Sequence, residues 1–292
     1  TNDVSKLQDG QAQYSLLPNE TGGLVDDIIV YCLKANSDYL VCVNAANAAK
    51  DWEWMNRNNR GAEMRNESAD WGQIAVQGPK AMELMTRVFS EAVLEIGSFE
   101  IKSFSFKNSN CLIARTGYTG EDGVEIFVPA AFASALWIDL MEKGADLGVQ
   151  PIGLAARDTL RLEMKYSLYG NEIDATTDPY EAGLGWVVKA AAKDFLGKQV
   201  ILDRKKNATR KLIGFQLVDK GVPRTGYEFY SSEGEKIGSV TSGTMSPTLN
   251  LPIGIGYLPL HLAEVGKEFL VDIRGRKIRA RVVPTPFVKR SS

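Results

Sequence analysis

Two β-rich runs, Asp27-Ile28-Ile29-Val30-Tyr31-Cys32-Leu33 and Tyr39-Leu40-Val41-Cys42-Val43, flank the polar stretch Lys34-Ala35-Asn36-Ser37-Asp38. Runs of this composition around a short polar turn predict a hairpin. Ala45 to Asn59 is alanine-rich with Trp52 and Met55 one helical spacing apart, which predicts a helix stopped at Gly61. A strand over Gln73 to Gln77 leads through Gly78-Pro79 into a second helix. Ala81, Leu84, Met85, Val88 and Phe89 share one face of it, and Pro79 suits its first turn. Strands at Lys102 to Phe106 and Asn110 to Arg115, an amphipathic helix at Ala130 to Lys143 and a helix at Gly153 to Glu163 follow. This order predicts an α+β domain with helices beside mixed or antiparallel sheets.

Beyond the charged run Asp203 to Lys211 the pattern changes to short runs broken by Gly and Pro. Ile213 to Val218, Glu228 to Tyr230, Lys236 to Thr241, Gly254 to Leu258, Glu268 to Ile273 and Lys277 to Val283 read as six strands with no intervening helix. That pattern predicts a small C-terminal antiparallel β-barrel or sandwich. The boundary falls in the charged run, giving domains over residues 1–205 and 211–292.

Composition narrows the chemistry. The 292 residues are 44% hydrophobic and 24% charged, and 34 basic against 36 acidic side chains leave a net charge of -2. This is a globular balance without the basic excess of a nucleic-acid footprint, so no nucleic-acid partner is expected. No apolar run is long enough to span a bilayer, no membrane partner is expected, and the first residues do not resemble a signal peptide. The three cysteines, Cys32, Cys42 and Cys111, are too few and too widely spaced for a disulfide framework. They read as core residues in a reducing, cytoplasmic compartment. His261 is the only histidine, which excludes a two-histidine metal site and leaves carboxylates, Tyr, Arg and Asn as the candidate groups.

Several segments could supply those groups. Arg115-Thr116-Gly117-Tyr118-Thr119-Gly120-Glu121-Asp122-Gly123-Val124-Glu125 is a glycine-punctuated turn bringing Tyr118 and Glu125 toward a strand. It reads either as the wall of a small-molecule pocket or as a plain hairpin. After Gly22-Gly23, the pair Asp26-Asp27 heads an apolar strand; side chains alternate there, so one carboxylate faces inward unless both are turn formers. Asn44 can present an amide to a heteroaromatic edge or cap the following helix. Arg157 and Arg161, four apart on one helical face, can clamp carboxylates or pair within the helix with Asp158 or Glu163. Ser239 to Leu249 reads as a small-residue loop suited to close approach or a barrel corner.

Taken in order, these motifs resemble the aminomethyltransferase (T-protein) family of the glycine cleavage system along essentially the whole chain. The resemblance is carried by Thr1 to Val4, Gln13-Tyr14-Ser15, Gly22-Gly23 through Asp26-Asp27, Val43-Asn44-Ala45, Gln77-Gly78-Pro79 and Arg115 to Glu121. It continues through Gly153 to Glu163, Leu168-Tyr169-Gly170 and Thr241 to Thr248. It implies a large folate-binding domain followed by a β-barrel, with tetrahydrofolate as one-carbon acceptor and no metal. The partner it implies is the lipoylated H-protein, whose arm carries the aminomethyl group. The products it implies are ammonia, 5,10-methylenetetrahydrofolate and the dihydrolipoyl arm. By the same resemblance Asp27 is the essential carboxylate, and Tyr14, Asn44, Tyr118, Glu125, Arg157 and Tyr166 match folate-pocket positions. Glu125 and Asn44 suit the pterin edge, and Arg157 an anionic part of the cofactor. A cytoplasmic enzyme is implied, or a mitochondrial-matrix one in a eukaryote. Family members open with a further N-terminal segment that walls the pocket, so the first domain is expected to be N-terminally incomplete. The alternative is a non-catalytic or truncated folate-binding relative.

Overall fold

The computed structural model describes residues 1–289, and its chain forms two units. The sheet unit comprises Asp3–Ser15 and Ile28–Gly153; the barrel unit comprises Thr1–Asn2, Leu16–Asp27 and residues 154–289. The chain crosses between them within its first two strands, β1 (Ala12–Pro18) and β2 (Leu24–Lys34). With β3 (Asp38–Cys42) these form a three-stranded sheet in the order β1-β2-β3. The predicted hairpin is β2 and β3, and β1 lies outside the predicted elements.

The predicted helix after β3 divides into a 3-10 turn, Ala45–Asn47, and α1 (Ala48–Arg57). It stops at Asn58 rather than Gly61, where Asn58 donates to the Trp54 carbonyl through both its backbone N–H at 3.2 Å and its side-chain amide at 2.9 Å. Next come β4 (Trp71–Gln77), α2 (Ala81–Val88), β5 (Ile101–Phe106), β6 (Ser109–Ala114), β7 (Gly123–Pro129) and α3 (Ala133–Lys143). Pro79 precedes α2 by two residues instead of entering its first turn, and Lys80 is the N-cap.

The four strands pair antiparallel in the order β4-β7-β6-β5. Period-two alternation sorts β4 and β7 into two faces. Ile74, Val76, Val124, Ile126 and Val128 form one core with Ala81, Leu84 and Met85 of α2 and Leu136 and Leu140 of α3. On the other face Phe127 packs edge-on against Tyr31, ring centroids 5.5 Å apart, in a second cluster with Ala12, Ile101 and Ala114. Glu125 and Gln73 project on that same face.

In the barrel unit α4 (Leu154–Glu163) and α5 (Lys198–Lys206) precede β8 (Arg210–Leu217), β9 (Glu228–Tyr230), β10 (Lys236–Ser246), β11 (Leu251–Pro259), β12 (Glu268–Ile273) and β13 (Arg276–Val283). These six strands close into an antiparallel barrel in the order β10-β11-β8-β13-β12-β9, as the α+β-plus-barrel reading expects. The charged run begins inside α5, a helix outside the predicted set. The segment read as a loop at Ser239 to Leu249 is largely strand: β10 continues to Ser246, with its register shifted between Val240 and Ser242.

Inside the barrel Phe215, Phe229 and Phe269 meet in edge-on pairs with centroids 4.7 to 5.6 Å apart. Space for them comes from β11. A Cβ on Gly254 would lie 2.5 Å from the Phe215 ring, and one on Gly256 2.7 Å from Phe229. The alternate residues Ile253 and Ile255 point the other way and bury Leu162 of α4. A strand buried on both faces therefore reads as a continuous small-and-apolar run.

Candidate functional site

In the barrel unit, the Asp26-Asp27 pair lies inside β2, which removes the reading of both as turn formers. Asp26 is fully buried and Asp27 half-buried. The head of that strand is tied down from three directions. The Asn19 side-chain oxygen accepts from the backbone of Thr21 and Gly23 at 3.0 and 2.9 Å, while its amide donates to Ala175. The Leu24 amide donates to Asp174, and the Tyr169 hydroxyl donates to the Leu24 carbonyl at 3.1 Å. Asp27 thus projects from a strand whose entry is fixed by Asn19 and by hydrogen bonds to residues 169–175.

The two arginines of α4 part company. Arg157 is exposed, but Arg161 is only 1% exposed. The Arg161 guanidinium donates to Glu172 and Ser242 at 2.7 Å each, to Asp158 at 2.8 Å and to the Tyr166 carbonyl at 3.0 Å. For Arg161 the structure selects the pairing alternative: it bonds Asp158 within the helix, one of the two alternatives read from the sequence, and Glu172, Ser242 and Tyr166 beyond it. Glu172 in turn accepts from the Ser242 hydroxyl at 2.6 Å and from the Leu168 amide at 2.9 Å. Two residues further along α4, Glu163 accepts from Ser246 at 2.5 Å and Thr248 at 2.9 Å. The small hydroxyl residues of β10 and the following turn are the receptors for these charged side chains. A buried arginine at this position has no distinguishing sequence signal, because Arg157 and Arg161 share a helical face.

Tyr166 owes its place to how α4 ends. Lys165 adopts φ +58°, its amide donating to Leu162 while the Tyr166 amide donates to Arg161. This is a Schellman closure with lysine where glycine is usual. It carries Tyr166 off the helix to a position 38% exposed, and Arg161 holds the Tyr166 carbonyl from beneath. Lys165 itself has a lowered pKa, first through burial and then through Lys211.

In the sheet unit, the glycine-punctuated turn between β6 and β7 is a braced loop. Arg115 makes a bidentate pair with Asp122 at its base, at 2.9 and 2.7 Å, and this guanidinium holds the Asp122 carboxyl below its usual range. The Gln77 amide fills the inside, donating to the Thr116 and Val124 carbonyls at 3.1 Å each and accepting from the Thr119 hydroxyl at 3.0 Å. A Cβ on Gly117 would come within 1.9 Å of the Gln77 oxygen, so this glycine is required by close approach. Tyr118, half-buried, sits on this braced segment.

Glu125, half-buried on β7, accepts from the Thr116 hydroxyl at 2.6 Å on one oxygen and from the Gln73 amide at 3.1 Å on the other. Asn44 stands at the N-cap of the 3-10 turn after β3 but makes no side-chain capping bond, so the capping alternative does not hold. Tyr14 lies half-buried on β1. The site residues named from the sequence thus fall into two groups. Asp27, Arg157 and Tyr166 belong to the barrel unit; Tyr14, Asn44, Tyr118 and Glu125 belong to the sheet unit.

Cys32 and Cys111 are buried and Cys42 half-buried, all as free thiols. His261 is exposed, in a 3-10 turn after β11. Among the described residues no cluster of His, Cys, Asp or Glu is arranged to hold a metal, and no helix is long and apolar enough to cross a membrane.

Two family models match the chain in succession: the GCVT N-terminal domain over residues 1–192 and the glycine cleavage T-protein C-terminal barrel domain over residues 210–289. Among curated relatives, the aminomethyltransferase of Bdellovibrio bacteriovorus is 61% identical over 99% of this chain and 80% of its own length. That of Bacteroides thetaiotaomicron is 46% identical over 99% of the chain and 81% of its own. The crystal structure of glycine cleavage system aminomethyltransferase T from Bartonella henselae superposes with a TM-score of 0.86 at 33% identity, covering 97% of this chain and 78% of that one. The family matches and relatives place the chain among the aminomethyl-transferring enzymes. The chain belongs to the glycine cleavage T-protein (aminomethyltransferase) family.

Proposed function

We propose that the chain transfers the methylene of the aminomethyl group on the dihydrolipoyl-lysine of H-protein to tetrahydrofolate. The carbon–sulfur and carbon–nitrogen bonds of the aminomethyl group break. Two carbon–nitrogen bonds to the folate form, and the two folate N–H protons leave with ammonia and the arm thiol. The products are ammonia, 5,10-methylenetetrahydrofolate and the dihydrolipoyl arm. The observation that carries this reading is the ordered match of both T-protein family models across the chain.

Most of the work in such a transfer is positioning of two bound reactants, with charge developing on nitrogen as the methylene moves. In this reading Asp27 orients the folate nitrogens and stabilises that charge. Glu125 and Asn44 take the pterin's donor and acceptor edge, while Tyr14, Tyr118 and Tyr166 supply amphipathic wall. Arg157, exposed on α4, pairs with the glutamate carboxylates, as the guanidinium fork suits. The functional division we assign is a folate-binding part over 1–205 and a barrel part over 211–292. A cytoplasmic setting fits the bacterial relatives.

The test is tetrahydrofolate-dependent ammonia release from aminomethylated H-protein, alongside a direct titration of tetrahydrofolate binding. Saturable release that needs both substrates is the expected result, and folate binding without release would overturn the transfer. In the same titration Arg157→Ala should weaken tetrahydrofolate binding about tenfold or more, the scale of a lost charge-assisted pair. The melting temperature should stay within about 2 °C because the side chain is exposed. The reverse ranking would make Arg157 a structural residue.

A further inference from the structure

We propose that Thr116 and Gln73 are positioning residues for tetrahydrofolate recognition, holding the Glu125 carboxylate in a fixed orientation as the terminal acceptor of a one-way hydrogen-bond chain. The proposal rests on the reading of Glu125 as a pterin-edge acceptor.

The direction of every bond in the chain is set by donor count. Thr116 has one hydroxyl proton, and it goes to Glu125 at 2.6 Å. The Thr116 oxygen is then left to accept, so the Tyr31 hydroxyl, 3.1 Å away, donates to it. On the other side the Gln73 amide nitrogen donates to Glu125 at 3.1 Å. That turns the Gln73 oxygen toward the Cys42 thiol, which donates to it at 3.5 Å. Four side chains from β2, β3, β4 and the β6–β7 loop therefore point their protons along two arms that meet on one carboxylate.

The two outer donors are kept protonated. Burial first, and the Glu125 charge second, push the Cys42 thiol up to about 12 and raise the Tyr31 hydroxyl further still. Neither reverses its bond at neutral pH. Tyr31 is fully buried and braced edge-on against Phe127, so its hydroxyl is a fixed point for Thr116. Strand pairing sets the Gln73 arm. Ala75 lies opposite Glu125 in the β4–β7 ladder, which makes Gln73 a same-face diagonal neighbour, within reach of a long side chain.

The carboxylate consequently spends one lone pair per oxygen on the protein and keeps one per oxygen for a ligand. An acceptor pinned this way matches a pair of adjacent N–H donors without first losing rotamer freedom, which lowers the cost of binding. Gln73 is exposed, so the face on which Glu125 stands is open to solvent beside it.

The experiment is a double-mutant cycle read by tetrahydrofolate titration and by the KM for tetrahydrofolate against kcat. Thr116→Val should raise the dissociation constant and KM about tenfold with kcat within about twofold. Thr116→Ser, which restores the hydroxyl, should recover most of the affinity. In a Glu125→Gln background Thr116→Val should add less than about twofold, because its effect runs through Glu125. A full additional loss in that background, or failure of the serine variant to rescue, would make Thr116 merely structural and overturn the proposal. If Glu125→Gln weakens binding while Thr116→Val and Gln73→Leu do not, the positioning proposal falls and the Glu125 reading stands. If Glu125→Gln itself leaves binding unchanged, the reading beneath it falls. Should Thr116→Val fail to fold, Gln73→Leu, at an exposed position, carries the same cycle with the same expected outcomes.

Discussion

Asp27→Asn is expected to lower tetrahydrofolate-dependent ammonia release about 10²- to 10⁴-fold, the range for loss of a positioned charged group acting on the reacting atoms. The substitution is isosteric and sits at a half-buried position on a strand whose entry is fixed by Asn19, Tyr169 and Asp174. The fold should persist, with a melting temperature within a few degrees of the parent. The measurement pairs single-turnover ammonia release with folate titration. Loss of turnover with binding retained assigns Asp27 to the transfer step, and unchanged turnover in a folded variant removes it from the mechanism. Asp26→Asn is the informative contrast, because that carboxylate is fully buried and its replacement should register in stability before it registers in rate.

The second large effect is structural. Arg161→Leu should destabilise the protein by about 3–5 kcal/mol, because removing one partner leaves the other carboxylate buried without its counter-charge. Glu172 is itself only 1% exposed, and its Oε2 loses the arginine at 2.7 Å. The Tyr166 carbonyl and the Ser242 hydroxyl lose a donor in the same change. Urea unfolding followed by tryptophan fluorescence reads the loss as a lower midpoint. Adding Glu172→Gln to Arg161→Leu should recover part of it, since the amide removes the stranded charge. A loss below about 1 kcal/mol in the single variant would mean that Glu172 is well solvated without the arginine.

Periodicity located the barrel strands because each alternates or runs apolar between turn residues, as in the Phe269–Val271 and Ile278–Ala280–Val282 faces. It lost β10 beyond Thr241, where Ser242, Gly243, Thr244 and Ser246 look like a loop. Ser242 and Ser246 are small because they receive Arg161 and Glu163 of α4, and Gly243 because Pro223 stands where a Cβ would be. The end of α4 at Glu163 was legible, but its closure was not, because Lys165 takes the left-handed conformation without the glycine that would announce it. Helix α5 was masked by its own charges, since of its side chains only Ile201 is buried. At the candidate site, the residues assigned to the ligand come from ordered motifs that resemble the family. Gln73 and Gln77 were not legible, because a glutamine that braces a loop or a carboxylate is indistinguishable in sequence from one that faces water. Arg157 and Arg161 show the same limit from the other side. Four residues apart and chemically identical, they are separated only by a burial that depends on Glu172 and Ser242, 11 and 81 positions further along the chain.

The hydroxyl-lined stretch of β10 that receives Arg161 and Glu163 has a consequence for how this enzyme is inherited and dismantled. The two family matches end and begin at residues 192 and 210, so by descent the chain looks like two modules joined by a seam. Its buried charges ignore that seam. A fragment lacking the barrel would keep the Arg161 bonds to Asp158, Glu172 and Tyr166 but lose Ser242, and would strip Glu163 of both Ser246 and Thr248. The barrel therefore completes a polar network that α4 only begins, and cutting the chain at the seam leaves that network half made.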